Sequence, residues 1–323
     1  MKIVNYSKYG SPDVIEIINR EKPTPKENEV LIRVMTSSLS PAECAVRKAD
    51  PFIVRFFAGL TSPKGVPGDM LAGLVEEVGS QVTKFKAGDR VFGSTGQSMG
   101  AHGEFVCLKD SEALVLLPEG LEFYEGSSIA DGAITALPFL RDQAKLSKGQ
   151  HILINGASGS IGTYAIQLSK YYGAIVTAVC SSKNHELVKS LGADIVIDYH
   201  KTDFTNNTNQ YDVVFDTVGK SSFGKCKQSL TAKGVYLTTV PDFGAMVQTI
   251  LFKNKKSKKA IFAATGLRKA ADKIPDFELM RELALEGKLR TIADKEFTFT
   301  TIKDGHAYVD AGHKVGNVVL KIQ

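Results

Sequence analysis

The sequence predicts an α/β chain of two domains: a β-rich barrel built from both chain ends and, inserted between them, a doubly wound parallel sheet of six strands. Three observations carry this. At 323 residues the chain exceeds what one hydrophobic core usually organises. Its texture changes near residue 122, from short β-rich runs to apolar runs spaced by helix-length segments. Near residue 290 the texture changes back. The expected domains are therefore 1–121 with 290–323, and 122–289.

In the first domain "VLIRVMTSS", "LAGLVEEVG", "DRVFG", "GEFVCL" and "EALVLLP" are strand candidates, separated by turn signals such as "SPKGVPGD" and "KAGD". Short strands at regular spacing with no helical period indicate a barrel or sandwich. In the second, "HILIN", "IVTAV", "DIVID", "DVVFD", "VYLTTV" and "AIFAA" lack in–out alternation. Strands covered by helices on both faces read this way. After residue 290 come a strand "EFTFT", a helix "IKDGHAYVDAG" and a closing strand "NVVLKI".

Composition narrows the function classes. Hydrophobic content of 43% and charged content of 23% are those of a soluble globular protein, and a net charge of +5 favours anionic ligands only mildly. No specific nucleic-acid binding is expected. The N-terminal stretch has no apolar signal core, and no segment approaches the ~20 apolar residues of a membrane span. Cys44, Cys107, Cys180 and Cys226 are scattered without a C-x-x-C pair, which predicts a reduced, cytoplasmic setting and no cysteine-rich metal site. One charge run, "KNKKSKK", extends from Lys253 to Lys259 behind the apolar "GAMVQTILF". It reads as a solvated helix end, with peripheral contact to an anionic membrane as the sharper alternative.

The motif that carries chemistry is "INGASGSIGTYAIQLSK". Gly156, Gly159 and Gly162 recur at every third residue between a strand and a helix, with Ala157, Ser158, Ser160 and Ile161 between them. Glycine permits the turn, close approach of backbone to a pyrophosphate, and tight helix–strand packing, while the helix N-terminus supplies N–H groups and partial positive charge. Ser158 and Ser160 add hydroxyl donors. A dinucleotide site is the reading. About 20 residues further on, a carboxylate would select NAD through its ribose 2′-hydroxyl. The strand end there is "VTAVCSSKN", which offers Ser181 and Lys183 instead, with Tyr199 past the next strand. A hydroxyl and a cation suit a 2′-phosphate, so the expected cofactor is NADPH.

Taken together, "PGDMLAGLVEEVGSQVTKFKAGDRVFG", "GASGSIG…AIQLSK", "LGADIVIDY", "YDVVFDTVGKSSF" and "GHKVGNVVLKI" resemble the medium-chain dehydrogenase/reductase superfamily, in its zinc-independent quinone oxidoreductase branch. The resemblance implies a GroES-like β-barrel domain with an inserted Rossmann domain, a homodimer or tetramer, and hydride transfer from NADPH to a quinone or an α,β-unsaturated carbonyl. It places Thr135, Thr217, Val218, Val240 and Asn317 along the nicotinamide half of the cofactor. Ser40, Glu43 and Arg47 become candidates for the substrate pocket, with Ser40-Pro41 standing where that branch often has Asn-Pro.

Zinc-dependent members carry Cys, a His–Glu pair in G-H-E, and a second Cys. Here the G-H-E position reads Gly68-Asp69-Met70, and the early Cys position falls at Ser40-Pro41. Cys44, Asp69 and His102 could be imagined together, but a zinc site needs about three or four converging ligands, and no metal is expected. The resemblance implies a small electrophilic substrate; "KADPFIVRFFAGLTSPKG" and "PDFGAMVQTILF" are rich in Phe, which suits an apolar substrate and equally a dimer interface. The rival readings are a non-catalytic NADPH-binding protein that docks to a membrane, RNA or a partner, and a zinc alcohol dehydrogenase.

Overall fold

The computed structural model describes residues 1–240, 243–252 and 257–323. It divides into two compact units, Met1–Asp131 with Lys269–Leu285 and Ala293–Gln323, and Gly132–Arg268 with Glu286–Ile292. In chain order the strands are β1 (Lys2–Tyr6), β2 (Ile15–Asn19), β3 (Glu29–Leu39), β4 (Met70–Val78), β5 (Arg90–Ser94), β6 (Phe105–Lys109), β7 (Ala113–Leu116), β8 (His151–Asn155), β9 (Ile175–Cys180), β10 (Ile195–Asp198), β11 (Tyr211–Asp216), β12 (Leu230–Thr238), β13 (Lys259–Phe262), β14 (Ala293–Thr298) and β15 (Asn317–Lys321).

The first unit holds a seven-stranded sheet, β14-β15-β3-β4-β5-β7 with β6 also on β3, and a separate β1-β2 hairpin. Strand β3 is the hinge of the curvature. Its N-terminal half pairs with β6 and its C-terminal half with β15, while β4 follows it across two register shifts. Such bulges bend a strand and raise its twist, which lets one sheet curl around its own core. That core includes Val30, Ile32, Val34, Leu71, Val91, Leu114 and Leu320.

The second unit is a six-stranded sheet with every pairing parallel, in the order β10-β9-β8-β11-β12-β13. This is the doubly wound order of dinucleotide-binding folds, with the reversal between β8 and β11. The near-continuous burial of β8, β9 and β11 accounts for their missing alternation.

The units differ from the expected domains at three places. Residues 290–292 belong with the second unit, and residues 122–131 and Lys269–Leu285 with the first. Both of the latter segments pack on Phe92 of β5. A Cβ at Gly126 would sit 2.9 Å from the Phe92 Cβ, so glycine lets helix Phe123–Ser128 lie close, and Phe277 of helix Ala270–Leu285 meets the Phe92 ring edge-on at 5.6 Å. Neither feature has a sequence period, which is why the texture change at residue 122 misplaced the boundary.

Candidate functional site

The glycine loop leaves the C-terminal end of β8, on the crevice where the strand order reverses. Gly156 has φ +80, and a Cβ there would meet Val218 Cγ1 at 2.5 Å and Thr217 Oγ1 at 2.7 Å. Gly162 is excluded from any larger residue by backbone, since its Cβ would fall 2.3 Å from Gly156 O. Gly159 is different. Its φ is −79, it caps helix Ser160–Tyr171, and the space beside its Cα meets nothing nearer than Gly156 O at 3.4 Å. Backbone geometry does not demand glycine there, and the open space leaves room for a ligand to approach the backbone. Ala157 is anchored through its N–H to Val179 O at 3.1 Å, and Ser160 is buried, whereas Ser158 and Ile161 keep exposed surface.

Opposite the loop, Asp216 ends β11 with no exposed surface. Its carboxylate accepts from Val218 N (3.2 Å), Gly219 N (3.0 Å), Ser221 N (2.8 Å), Asn155 Nδ2 (3.1 Å) and Tyr236 Oη (3.0 Å). These bonds shape the turn that presents Val218. Thr217 spends its hydroxyl on Asn155 O at 2.9 Å, so it braces the glycine loop. Val218 and Val240 remain 42% and 39% exposed, and a Cβ on Gly219 would strike Val240 at 2.9 Å. Two neighbouring exposed valines at strand ends, above a glycine cradle, form an apolar wall suited to a flat ring. Thr135 lies half-buried in helix Ile134–Pro138 of the same unit. Asn317 is fully buried at the head of β15 in the first unit.

The selector residues stand on neighbouring strand ends. Cys180 of β9 is in register with Asp198 of β10, so Ser181 and Tyr199 leave adjacent strand ends on the same side. Lys183 is exposed and Tyr199 half-exposed, its ring against His200. Asn184 is a residue the sequence reading missed. It is buried, and its Nδ2 donates to Ser158 Oγ at 2.9 Å and reaches Ser181 Oγ at 3.5 Å.

In the first unit the three substrate-pocket candidates share helix Pro41–Lys48, but the structure corrects their roles. Ser40 caps that helix, its Oγ accepting from Glu43 N at 3.3 Å. Arg47 has no exposed surface: it donates to Gly10 O at 2.5 Å and to Asp310, and braces the interior instead of facing a ligand. Glu43 also points inward. It accepts from Tyr6 Oη at 2.8 Å, with His102 Nδ1 at 3.0 Å and His306 Nε2 at 3.7 Å. The His102 contact is close without in-line hydrogen-bond geometry. Burial opposes ionisation of Glu43, yet His102, His306 and Tyr6 outweigh it and hold the carboxyl below its usual range. Burial pulls the His306 imidazole down to about 4.

The conceivable metal donors are committed elsewhere. Cys44 Sγ lies 3.3 Å from His306 Nδ1, His102 Nε2 donates to Ser38 O at 3.2 Å, and Asp69 accepts from Ser94 Oγ at 2.6 Å. Ser94 in turn accepts from the buried Lys273 at 3.2 Å. Among the described residues no group of three or more His, Cys, Asp or Glu is placed to hold an ion. Burial raises the thiols of Cys44 (to about 12), Cys107, Cys180 and Cys226 (each to about 11), which leaves none of them a ready nucleophile.

Of the Phe-rich segments, Phe52, Phe56 and Phe57 are 66%, 68% and 86% exposed, whereas the side chains of Phe243 and Phe252 lie outside the described residues. So does 253–256 of the lysine run; Lys258 is described and donates to Lys227 O at 2.8 Å.

Comparison with known proteins agrees with this architecture. A family model described as the alcohol dehydrogenase GroES-like domain matches residues 26–119, and one described as zinc-binding dehydrogenase matches 191–320. The chloroplast envelope quinone oxidoreductase homologue of Arabidopsis thaliana is 31% identical over 99% of this chain and 98% of its own. The chain belongs to the quinone oxidoreductase branch of the medium-chain dehydrogenase/reductase superfamily. An NADPH-dependent alkenal/one oxidoreductase of the same plant is 30% identical over 99% of this chain and 79% of its own. The solved quinone oxidoreductase from Coxiella burnetii covers 100% of this chain and 99% of its own, with a TM-score of 0.88 and 28% identity. GroES-like and Rossmann are thus the names of the two units.

Proposed function

We propose that this oxidoreductase works without zinc and delivers hydride from NADPH to a quinone or an α,β-unsaturated carbonyl, as a homodimer in a cytoplasmic setting. The observation that carries the reading is the cradle at the strand-order reversal. It joins an open approach at Gly159 to a strand end bearing Ser181 and Lys183 in place of an acid. The residues fit the cofactor. The 156–162 loop and the helix behind it would hold the pyrophosphate, and Ser181, Lys183 and Tyr199 the 2′-phosphate, with Ser158 Oγ at the edge of the loop turned to the same group, since it shares the Asn184 amide with Ser181. Val218 and Val240 would flank the nicotinamide, and Thr135 falls on that side by the resemblance. Bound NADPH supplies the hydride; the protein's part is to orient the ring and exclude water.

The names of the relatives, which include quinone oxidoreductases and an alkenal/one oxidoreductase, support the acceptor class. The hydrogen bonds that already engage Cys44, His102 and Asp69 support chemistry without a Lewis acid. A screen of NADPH oxidation across quinones, enones and alkenals, with NADH alongside, tests the reading. Turnover with NADPH well above that with NADH is expected, in enzyme found metal-free by elemental analysis. Equal use of NADH, or no turnover with any acceptor, would sink it.

A further inference from the structure

Asn184 links the two halves of the cofactor cradle. It stands at the start of helix His185–Ser190, is only 9% exposed, and its backbone N–H donates to Ser181 O at 3.0 Å. Its side-chain amide then points back across the crevice. One NH2 group donates to Ser158 Oγ of the glycine loop at 2.9 Å and lies 3.5 Å from Ser181 Oγ of the selector.

A hydroxyl has one proton to give and lone pairs to receive. An amide NH2 can only give. Where it donates to a serine oxygen, that serine must direct its own proton elsewhere. Both serines retain exposed surface, whereas the amide is buried. A hydroxyl that receives the amide proton is left to donate from its exposed side, although serine is by itself ambivalent.

From this geometry we infer that Asn184 is a specificity-determining positioning residue: through Ser158 and Ser181 it fixes the cradle as a set of donors for the phosphorylated adenosine ribose. The inference rests on the NADPH reading and names the part of the protein that enforces it. Lys183 supplies charge from an exposed side chain, and Asn184 supplies orientation from a buried one.

Asn184→Asp keeps the shape and replaces the donor with an acceptor and a negative charge, so both serines would turn their protons inward. The test is equilibrium binding of 2′,5′-ADP and 5′-AMP to the full chain, followed calorimetrically. Affinity for 2′,5′-ADP is expected to fall about 100-fold in Asn184→Asp and about tenfold in Asn184→Ala, in line with charge-assisted donors lost or reversed. Binding of 5′-AMP should stay within about threefold, since it lacks the group concerned. The deciding measurement is a double-mutant cycle with Ser158→Ala. If Asn184 acts through Ser158, then Asn184→Ala added to Ser158→Ala costs much less than it does alone. Fully additive losses would overturn the inference, as would an Asn184→Asp chain that still prefers 2′,5′-ADP. Failure of the underlying reading looks different: the unaltered chain would bind 5′-AMP as tightly as 2′,5′-ADP. Melting curves for each variant keep a misfolded protein from counting as support, and the isosteric Asp variant stands in should Ala fail to fold.

Discussion

Asp216 and Glu43 are both buried carboxylates, one in each unit, and they are held in opposite ways. Asp216 is satisfied mainly by fixed donors: three backbone N–H groups of one turn, an asparagine amide and a tyrosine hydroxyl. Glu43 accepts from a tyrosine and has two histidines beside it, each from a different part of the chain. The first arrangement builds a loop at the mouth of the cradle and does not depend on any histidine. The second ties two helices, a hairpin and a loop together, and its strength depends on protonation. The Rossmann unit therefore places rigidity at its ligand end, whereas the GroES-like unit places a titratable cluster inside its core.

The largest expected effect is on that rigid turn. Asp216→Ala would leave several buried donors without an acceptor, at a cost of roughly 4 kcal/mol in denaturant-induced unfolding. A loss below about 1 kcal/mol would mean that water takes over these bonds and that the contrast with Glu43 is empty.

Next comes the cradle itself. Gly159→Ala should lower NADPH affinity about 30-fold by occupying ligand space, while unfolding shifts by no more than about 1 kcal/mol. Gly162→Ala should do the reverse and damage the fold, because its Cβ would meet backbone at 2.3 Å. Similar stability losses in both would show that Gly159 is structural too. A smaller effect is expected at the selector. Lys183→Ala should raise the NADPH KM about tenfold and leave that for NADH alone, as suits one exposed cation. An unchanged ratio of the two KM values would move the choice to Ser181 and Tyr199.

The difference between the units also governs how much the sequence disclosed. The Rossmann site was legible because its parts are local. Glycines at fixed spacing, a missing acid at a strand end and the "DTVG" turn each act within a few residues of where they stand. Asn184 escaped notice because its meaning lies in a hydrogen bond across 26 residues to Ser158. In the GroES-like unit Glu43 and Arg47 were noticed for their charge, but their direction was hidden. A helix of eight residues carries Cys44 and Arg47 buried on it, and which charges face inward is set by Tyr6, His102, Asp310 and His306, two of them more than 250 residues away. The boundary at residue 122 was misread for a related reason: packing on Phe92 leaves no local pattern.

The smallest effect tests whether the GroES-like core is pH-sensitive in the way its contacts imply. His306 has no exposed surface, and burial lowers its imidazole from the ordinary 6.5 to about 4. Between those values the unfolded chain takes up a proton that the folded chain refuses. The contribution of His306 is therefore complete above about pH 6.5 and is lost as pH falls toward 4, at no more than about 1.4 kcal/mol per pH unit. Glu43, held below its usual range, loses its contribution in the same direction but lower, as pH falls through its folded value. His306→Gln removes the first titration and keeps a side chain able to bond Tyr6. Denaturation midpoints at pH 7, 6 and 5 should then slope less steeply in the variant, by about 1 kcal/mol per pH unit. The same substitution should leave NADPH affinity at pH 7 unchanged, since the neighbours of His306, which are Tyr6, Cys44 and Glu43, are core residues with no part in the cradle. If the slopes coincide, His306 stays neutral in the unfolded chain as well or is already charged in the folded one. In either case the cluster around Glu43 would be as indifferent to pH as the turn around Asp216.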